Sequence, residues 1–284
     1  MAKPSVVKML EWALPHSKNA PTGSYPIPQN KVASEKAWKY VLGTIYDLGT
    51  PELLERKRKK HYADWNKDDF NRRAKAKYGY ICTECQGVAD AFFSVVEKVK
   101  TDVNANMNYT GWCSSGNKGS NMKKMPRLLG VAVYIANGSG RVTHVGFVCG
   151  FAPDGDPLVF EARGYKDDVM ITKFSQRPWN RWGIMDKKYD YAEAEKLTAK
   201  LLADTPAPPI KEDDYPYTVY GRSQRGGPVN RRYSPSDYHD VKILAKIADG
   251  TKMLAATKTP VDGWYPVQVG SKTGYMHGDY VKMK

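Results

Sequence analysis

The chain has 284 residues, 41% of them hydrophobic and 12% aromatic, which is enough to build packed cores for one large or two modest domains. Its four cysteines are too few for a disulfide scaffold. The apolar run near the N-terminus is interrupted by Lys8, Glu11 and Pro15, so we expect neither a signal peptide nor a membrane span.

The formal net charge of +14 predicts an anionic partner or surface. Nucleic acid is the first partner to test, but the basic residues are spread along the chain and no helix-turn-helix, zinc-finger or RNA-binding motif accompanies them. The one dense run, from Arg56 to Lys60, is typical of a solvated helix face. We therefore expect no specific nucleic-acid partner and favour diffuse attraction to a polyanionic surface, such as a bacterial wall with its anionic polymers.

The first quarter of the chain predicts helices. A short amphipathic segment around Leu10 is followed by a loop rich in proline. With Ser34 as the N-cap, apolar residues then recur at helical spacing until Gly49. Pro51 suits the first turn of a second, highly charged helix, which we expect to continue in pieces to Ala76 on the outside of the molecule.

The stretch from Tyr80 to Val99 predicts a cysteine nucleophile at the start of a buried helix. After Gly87, apolar residues at helical spacing turn one face into a core, so the helix is expected to begin near Cys85. Unpaired backbone N–H groups and the helix dipole favour the thiolate there, and Gly87 leaves room for a substrate backbone. The alternative is that Cys85 is a small buried hydrophobic residue, the commonest fate of a free cysteine.

Beyond this helix the pattern changes to strands. A polar, glycine-rich loop or flap is expected at 104–125. Short apolar runs separated by turn residues then predict an antiparallel meander, with strands at 131–135, 141–150, 158–164 and 169–174. A helix from Tyr191 to Leu202 closes this part, and the proline-rich segment 203–214 is typical of a stiff linker.

A cysteine nucleophile needs a base and a polar group that orients the base. Of the five histidines, only His144 starts an apolar strand in the same part of the chain as Cys85. Strand periodicity puts Gly146 on the face of His144, where it keeps space open for a neighbouring side chain. On the next strand, Glu161 has apolar neighbours and needs a partner such as an imidazole N–H. Cys85, His144 and Glu161 in this order predict a papain-like arrangement.

Cys82 and Cys85 also form a C-x-x-C pair, which occurs in zinc sites and redox motifs. A structural zinc site needs a second close pair, whereas Cys113 and Cys149 are far apart in the sequence. No thioredoxin-like pattern of strand and helix surrounds the motif. We therefore expect no metal and no other cofactor, and we expect Cys82 to pack behind the nucleophile.

Four segments resemble the NlpC-type cell-wall cysteine peptidases, particularly those of phage and prophage endolysins: T-E-C-Q-G-V, T-H-V-G-F-V-C-G, V-F-E-A-R-G and R-P-W-N-R-W-G. The resemblance covers residues 78–190. It implies Cys85 as nucleophile, His144 as base and Glu161 as the orienting residue. Tyr80 matches an aromatic near the family's substrate, and with Gln86 it is assigned to substrate contact. The chain departs from the family pattern at Glu84, Gln86 and Glu161.

The C-terminal part alternates short strands and turns from Tyr217 onward, which predicts a small β-barrel. The segments V-N-R-R-Y-S-P-S, I-A-D-G-T-K-M, G-W-Y-P-V and T-G-Y-M-H-G-D-Y-V resemble a bacterial SH3-like wall-binding domain. We expect exposed aromatics such as Tyr233 and Tyr238 to help bind wall peptide. For Trp264, Tyr265 and Tyr275 the alternative is that they only pack the barrel.

These features predict an α+β chain, with a papain-like cysteine peptidase domain of helices packed on an antiparallel sheet at 1–202, a linker at 203–214 and an all-β SH3-like barrel at 215–284. We expect a monomeric peptidoglycan hydrolase that cuts a peptide or amide bond of the murein stem peptide. Endopeptidase and N-acetylmuramoyl-L-alanine amidase activity both stay open, as does a non-catalytic wall-binding protein. The expected location is the host cytoplasm until release onto the wall, or the outside of the cell.

Overall fold

The computed structural model describes residues 2–204, 217–222, 229–232, 243–255, 264–269 and 272–283. It combines helices with several sheets, one of them a curled half-barrel. The chain divides into two compact units, Met1–Thr205 and Pro206–Lys284. Tyr233 and Tyr238, the predicted wall-binding tyrosines, lie outside the described residues, as does the predicted linker from 205 onward.

The α-helices of the first unit begin at recognisable caps. Side chains of Ser5, Thr50 and Asn66 accept hydrogen bonds from backbone N–H groups in the first turns of the first three helices. No helix in the described ranges is long and apolar enough to cross a membrane. The helices are α1 (Val6–Ala13), α2 (Pro51–His61), α3 (Lys67–Lys75), α4 (Gly87–Ala91), α5 (Ala105–Met107) and α6 (Ala192–Asp204).

The charged helices α2 and α3 each bury a narrow apolar stripe. Leu54 of α2 and Phe70 of α3 belong to a second hydrophobic cluster, separate from the main core, together with Tyr62 and Tyr165. Phe70 stacks on Tyr165 with ring centroids 4.8 Å apart. The prediction of a charged outer helix in pieces from Pro51 to Ala76 is therefore confirmed.

The helix predicted from Ser34 to Gly49 is wrong. The segment instead contains two short strands, β1 (Lys39–Tyr40) and β2 (Asp47–Leu48), which flank β3 (Ile81–Thr83) in a three-stranded sheet. Trp38 lies in the main core and Val41 in the second cluster, so the two apolar residues do not form one helix face that packs against a single core. Gly43 between the strands has a φ of +76°, which a continuous helix does not allow.

The main sheet of the first unit is antiparallel, in the order β4-β9-β5-β6-β7-β8. Because β5 to β8 are consecutive neighbours, the predicted meander is confirmed. Val88 and Phe92 from the α4 region share the main core with Phe147 and Phe160 of the sheet. The strands are β4 (Lys118–Gly119), β5 (Ala132–Ala136), β6 (Val142–Phe151), β7 (Pro157–Gly164), β8 (Asp168–Lys173) and β9 (Arg181–Gly183).

The helix after Cys85 is shorter than predicted. It begins at Gly87, near Cys85 as predicted, and after Ala91 it continues as a π-helical stretch, Phe92–Val96, that ends before Val99. Val99 is 36% exposed, so the buried face does not extend to it. The Ser94 hydroxyl donates to the Asp90 carbonyl at 2.8 Å, a side-chain bond that competes with regular helical pairing.

The second unit is built from antiparallel strands around a small core. Val219, Met253, Val267 and Met276 are fully or almost fully buried in this core. The strand order in the described residues is β12-β11-β15-β14-β13-β10-β16. The strands are β10 (Tyr217–Gly221), β11 (Val229–Arg232), β12 (Ile243–Ile247), β13 (Lys252–Ala255), β14 (Trp264–Val269), β15 (Lys272–His277) and β16 (Val281–Met283).

A buried ion group ties the segment after α3 to both sheets of the first unit. The Lys77 side chain is 3% exposed and pairs with Asp168 at the start of β8, and Lys39 on β1 reaches the same carboxylate at 3.2 Å. Asp168 also accepts a hydrogen bond from the backbone N–H of Tyr40 at 3.3 Å. The Asp168 carboxylate thus compensates a cation that water does not reach.

Asp168 has a φ of +65°, a conformation that Asn also tolerates, so Asp168→Asn removes the charge without new backbone strain. We expect this variant to lower the free energy of unfolding by about 3 kcal/mol, because Lys77 would stay buried without a counter-ion. Urea unfolding followed by circular dichroism measures the change. Asp167→Asn is the matched control, since its ion pair with Arg163 is largely exposed; it should cost less than about 0.5 kcal/mol. Equal losses in the two variants would contradict the prediction.

Candidate active site

The predicted nucleophile Cys85 lies in the turn between β3 and α4 and is 7% exposed. The loop before β2 fixes this turn. The Glu84 N–H donates to the Thr44 carbonyl at 2.9 Å, and the Gly43 N–H donates to the Glu84 carboxylate at 2.6 Å. A Cβ on Gly87 would lie 2.6 Å from the Thr44 carbonyl oxygen. The room predicted at Gly87 for a substrate backbone is therefore occupied by the chain itself.

The strand that carries His144 also reaches the thiol. The backbone N–H of Val145, on β6, contacts the Cys85 sulfur, as do the N–H groups of Cys85 and Gln86. Because Val145 directly follows His144, this contact places the backbone of the predicted base beside the predicted nucleophile. Each of these N–H groups lowers the pKa of the Cys85 thiol, because it favours the negative charge that the sulfur would carry after deprotonation.

The thiol is nevertheless held in its neutral form. The pKa of Cys85 is raised to about 12, first because burial disfavours the thiolate and second because the Glu84 carboxylate is near. The backbone N–H groups offset only part of this rise. The prediction that the helix dipole favours the thiolate is therefore wrong in its net effect, because α4 is short and the desolvation of the sulfur dominates. A base must remove the proton during any reaction.

His144 and Glu161 form a pair across β6 and β7. The imidazole Nε2 lies 2.7 Å from a carboxylate oxygen of Glu161, which is 1% exposed. The Thr172 hydroxyl donates to the other oxygen at 2.7 Å. Burial alone would raise the pKa of Glu161. The hydrogen bond and the positive charge of His144 outweigh this effect, together with the hydrogen bond from Thr172 and the charge of Arg177, so the pKa lies below its ordinary value. Glu161 is therefore a carboxylate.

This pairing assigns a role to each imidazole nitrogen. Nε2 of His144 faces an ionised carboxylate, so the proton of the neutral ring belongs on Nε2. Nδ1 is then the unprotonated nitrogen that accepts a proton from a donor. An imidazole oriented in this way is suited to act as a general base toward a thiol.

Trp179 covers one face of the imidazole. Its ring stacks on His144 with centroids 5.6 Å apart and an interplanar angle of 12°. A Cβ on Gly146 would lie 3.0 Å from the Trp179 ring and 2.6 Å from the Val159 side chain. The space predicted at Gly146 for a neighbouring side chain is confirmed, and Trp179 is one of the residues that fill it. In the sequence, Trp179 belongs to the segment R-P-W, and nothing in that segment indicates that its ring stacks on His144.

Gln86, which was predicted to contact substrate, lies inside the protein. Its side chain is fully buried, and its carbonyl oxygen accepts a hydrogen bond from the Asn108 amide at 2.7 Å. Asn108 in turn accepts a hydrogen bond from the Tyr134 hydroxyl at 2.7 Å. The assignment of the Gln86 side chain to substrate is corrected accordingly: it braces the turn of Cys85 from within, and only its backbone N–H faces the sulfur.

Two tyrosines differ in their relation to the nucleophile. The Tyr80 ring lies under the ammonium groups of Lys36, at 4.1 Å, and Lys39, at 4.8 Å, and its contact with substrate stays a prediction. Tyr40 on β1 lies close enough to Cys85 to interact with it electrostatically: burial raises the pKa of Tyr40, and the nearby thiol raises it further. The sequence pattern contained no signal for Tyr40, because its segment matched a helix.

The C-x-x-C cysteines lie in different hydrophobic clusters. Cys82 belongs to the second cluster and Cys85 to the main core, so the expectation that Cys82 packs behind the nucleophile is not met. All four cysteines are free and buried. Within the described ranges, no group of three or more histidine, cysteine, aspartate or glutamate residues could hold a metal ion.

A scan against protein-family models and a search of curated proteins each gave no match to this chain. Its chemistry is therefore argued from the geometry of Cys85, His144 and Glu161 and from the segments that contain them.

The raised pKa of the Cys85 thiol predicts that its reactivity near neutral pH depends on His144. We expect His144→Ala to slow the alkylation of Cys85 by iodoacetamide at least about tenfold at about pH 7.5. The difference should shrink toward about pH 11, where hydroxide removes the proton without help from the imidazole. Site-resolved mass spectrometry measures the rate at each cysteine.

Cys113 is the internal control for this measurement. It is also buried, and burial is the main reason why its pKa is raised to about 11. Its alkylation should be unchanged by His144→Ala. Equal rates at Cys85 in the wild type and in the variant would show that the imidazole does not activate the thiol.

Proposed function

We propose that this chain is a peptidoglycan hydrolase whose first unit is a papain-like cysteine peptidase. Cys85 is the nucleophile, His144 the general base and Glu161 the residue that orients the base. The observation that carries this proposal is the buried pair of His144 and Glu161, because the strand of His144 also interacts with the thiol through the backbone N–H of Val145. Nucleophilic catalysis requires a base that is oriented by a polar group, and a buried carboxylate paired with an imidazole, on the strand whose backbone interacts with the thiol, supports that assignment.

In the proposed reaction, Nδ1 of His144 takes the Cys85 proton as the sulfur attacks the carbonyl carbon of the scissile bond. The oxyanion that forms is stabilised by backbone N–H groups of the nucleophile turn. His144 then gives the proton to the leaving amine as the carbon–nitrogen bond breaks and a thioester remains. Water, deprotonated by His144, hydrolyses the thioester and restores the thiol. The products are one carboxylic acid and one amine for each water consumed.

Two features support the bacterial wall as the substrate. The segments around Cys85, His144 and Glu161 resemble those of NlpC-type cell-wall peptidases, and the net charge of +14 suits a polyanionic surface. The enzyme would act on the wall after release from the host cytoplasm, or outside the cell. Endopeptidase and N-acetylmuramoyl-L-alanine amidase activity use the same steps and differ only in the bond that is cut.

The second unit is proposed to be an SH3-like domain that holds the enzyme on the wall. In its described part, Trp264 and Tyr265 are 5% and 7% exposed, so they pack the fold, while Tyr275 is partly exposed. A wall-bound second unit raises the local concentration of substrate at the first without any new contact at the thiol.

Digestion of purified Gram-positive cell walls tests the proposed reaction. We expect the wild type to release fragments with new amine termini and Cys85→Ala to release none, because no other group can form the thioester. Mass spectrometry of the fragments identifies the bond and so separates endopeptidase from amidase. Cys113→Ala, which also removes a buried thiol, is the matched control and should retain activity. If wild type and Cys85→Ala both bind walls and neither cuts them, the chain is a non-catalytic wall-binding protein.

The exposed cations of α2 are proposed to contribute to attraction by anionic wall polymers. Arg56 and Lys60 lie one helical turn apart and are both exposed. Lys57 between them instead donates to the Gly43 carbonyl, and the Gly43 N–H donates to Glu84 beside the nucleophile. The loop that contains Gly43 therefore connects the helix that carries Arg56 and Lys60 to the proposed catalytic turn.

Replacing Arg56 and Lys60 together with Gln should weaken binding to purified walls several-fold at low salt and have no effect at about 1 M salt, where exposed charges are screened. Co-sedimentation with the walls measures binding. The control replaces Lys196 and Lys200, which have the same spacing on α6 and are also exposed. Equal losses in both double variants would mean that only net charge matters. Walls stripped of anionic polymers should abolish the difference.

A further inference from the structure

Arg177 lies against both oxygens of the buried Glu161 carboxylate. Its Nη2 donates to Oε2 at 3.2 Å, and its Nε lies 3.2 Å from Oε1. Oε2 is also the oxygen that meets the His144 imidazole. The Arg177 side chain is 18% exposed and lies over the Trp179 ring at 5.7 Å, so the cation is itself held in place. Nη2 is the nitrogen that hydrogen-bonds, whereas Nε is buried near Oε1 without a hydrogen bond to it. Arg177 therefore gives the carboxylate one directed hydrogen bond and a close positive charge.

The backbone around Arg177 is anchored independently of this contact. The Arg177 N–H donates to the Phe174 carbonyl, and the Trp179 N–H donates to the Arg177 carbonyl at 2.9 Å. The Asn180 side chain exchanges two hydrogen bonds with the backbone of Ala136 on β5. The segment that carries the guanidinium is therefore hydrogen-bonded to the main sheet, and this fixes the backbone of Arg177 near Glu161.

We propose that Arg177 is a positioning residue that neutralises Glu161 at rest, so that His144 begins the reaction as an uncharged base. This role rests on the proposed hydrolase function and adds a residue to the three that carry out the chemistry. Arg177 touches neither the thiol nor, in the proposed mechanism, the substrate; it acts through Glu161.

Charge balance in the buried site gives Arg177 this role. The charged or titratable groups described around Glu161 are His144 on β6 and Arg177, and Thr172 on β8 adds a neutral donor. A carboxylate that is 1% exposed needs a cation or a proton. Without Arg177, the pair of Glu161 and His144 would retain a proton to higher pH. A ring that holds this proton as imidazolium cannot take another from Cys85.

Arg177→Gln tests the proposal, because glutamine keeps a hydrogen-bond donor and removes the charge. We expect the acid limb of the pH profile to move upward by at least about one pH unit, so that the rate at about pH 6 falls about tenfold and recovers at about pH 8. Arg177→Lys keeps the charge but not the planar guanidinium, so its acid limb should lie between those of the wild type and Arg177→Gln. The rate is measured in two ways in the full-length chain: wall digestion, and alkylation of Cys85 by iodoacetamide.

Arg58→Gln is the matched control. Arg58 is also an arginine with a mostly buried side chain, 15% exposed, paired with a carboxylate, Glu55. Its replacement should leave both pH profiles unchanged. A uniform loss at every pH in Arg177→Gln, or a profile that does not move, would overturn the proposal, since a merely structural role predicts no shift along the pH axis.

The two readouts separate this inference from the proposed function. If walls are not cut by the wild type, the hydrolase proposal fails, while the alkylation profile still reports whether Arg177 controls the base beside Cys85. If walls are cut in a Cys85-dependent way and neither profile moves in Arg177→Gln, the hydrolase proposal stands and the role of Arg177 fails.

Discussion

The candidate site depends on one buried negative charge, the carboxylate of Glu161. A carboxylate that is 1% exposed is stable only where hydrogen bonds and a cation replace the water it has lost. The partners come from separate elements: His144 from β6, Thr172 from β8 and Arg177 from the segment before β9. Closing the meander around Glu161 therefore orients the imidazole in the same step. The strands of the meander thus place both the carboxylate and the imidazole of the proposed base.

Cys85, the proposed nucleophile, is held by a different set of contacts. Cys85 lies between Val88, which packs into the main core, and Cys82, which packs into the second cluster with the apolar stripes of α2 and α3. The ion pair of Lys77 and Asp168 ties that second cluster to the sheet. The charged outer helices thus contribute to the site indirectly, because they stabilise β1 and β3, and β3 leads directly into the turn of Cys85.

The part of the site on the sheet, His144 and Glu161, could be predicted from the sequence more completely than the part around Cys85. Turn residues and period-two alternation are local signals, and a lone Glu161 among apolar residues already implies a buried partner. The apolar residues from Ser34 to Gly49 fit a helical period, but the segment does not form a helix. Trp38 packs into the main core and Val41 into the second cluster, and this separation depends on tertiary packing that the local sequence does not contain. The rise in the pKa of Cys85 is also tertiary, since it comes mainly from burial. Arg177 is anchored by strand β5, far from it in sequence.

Charge balance connects these findings. With the Cys85 pKa raised to about 12, the resting thiol is neutral, and in the proposed mechanism Glu161 and Arg177 cancel beside a neutral His144. Charge then forms only during reaction, as a thiolate against the N–H groups of Cys85, Gln86 and Val145 and an imidazolium against Glu161. Both stabilising sets are fixed during folding, so little reorganisation is needed when the charges form. A thiolate of high pKa is also intrinsically more nucleophilic than one of low pKa. The raised pKa of the thiol is therefore compatible with catalysis. It means that the rate of the proposed reaction depends on how well His144, held by Glu161 and Arg177, removes the proton from Cys85.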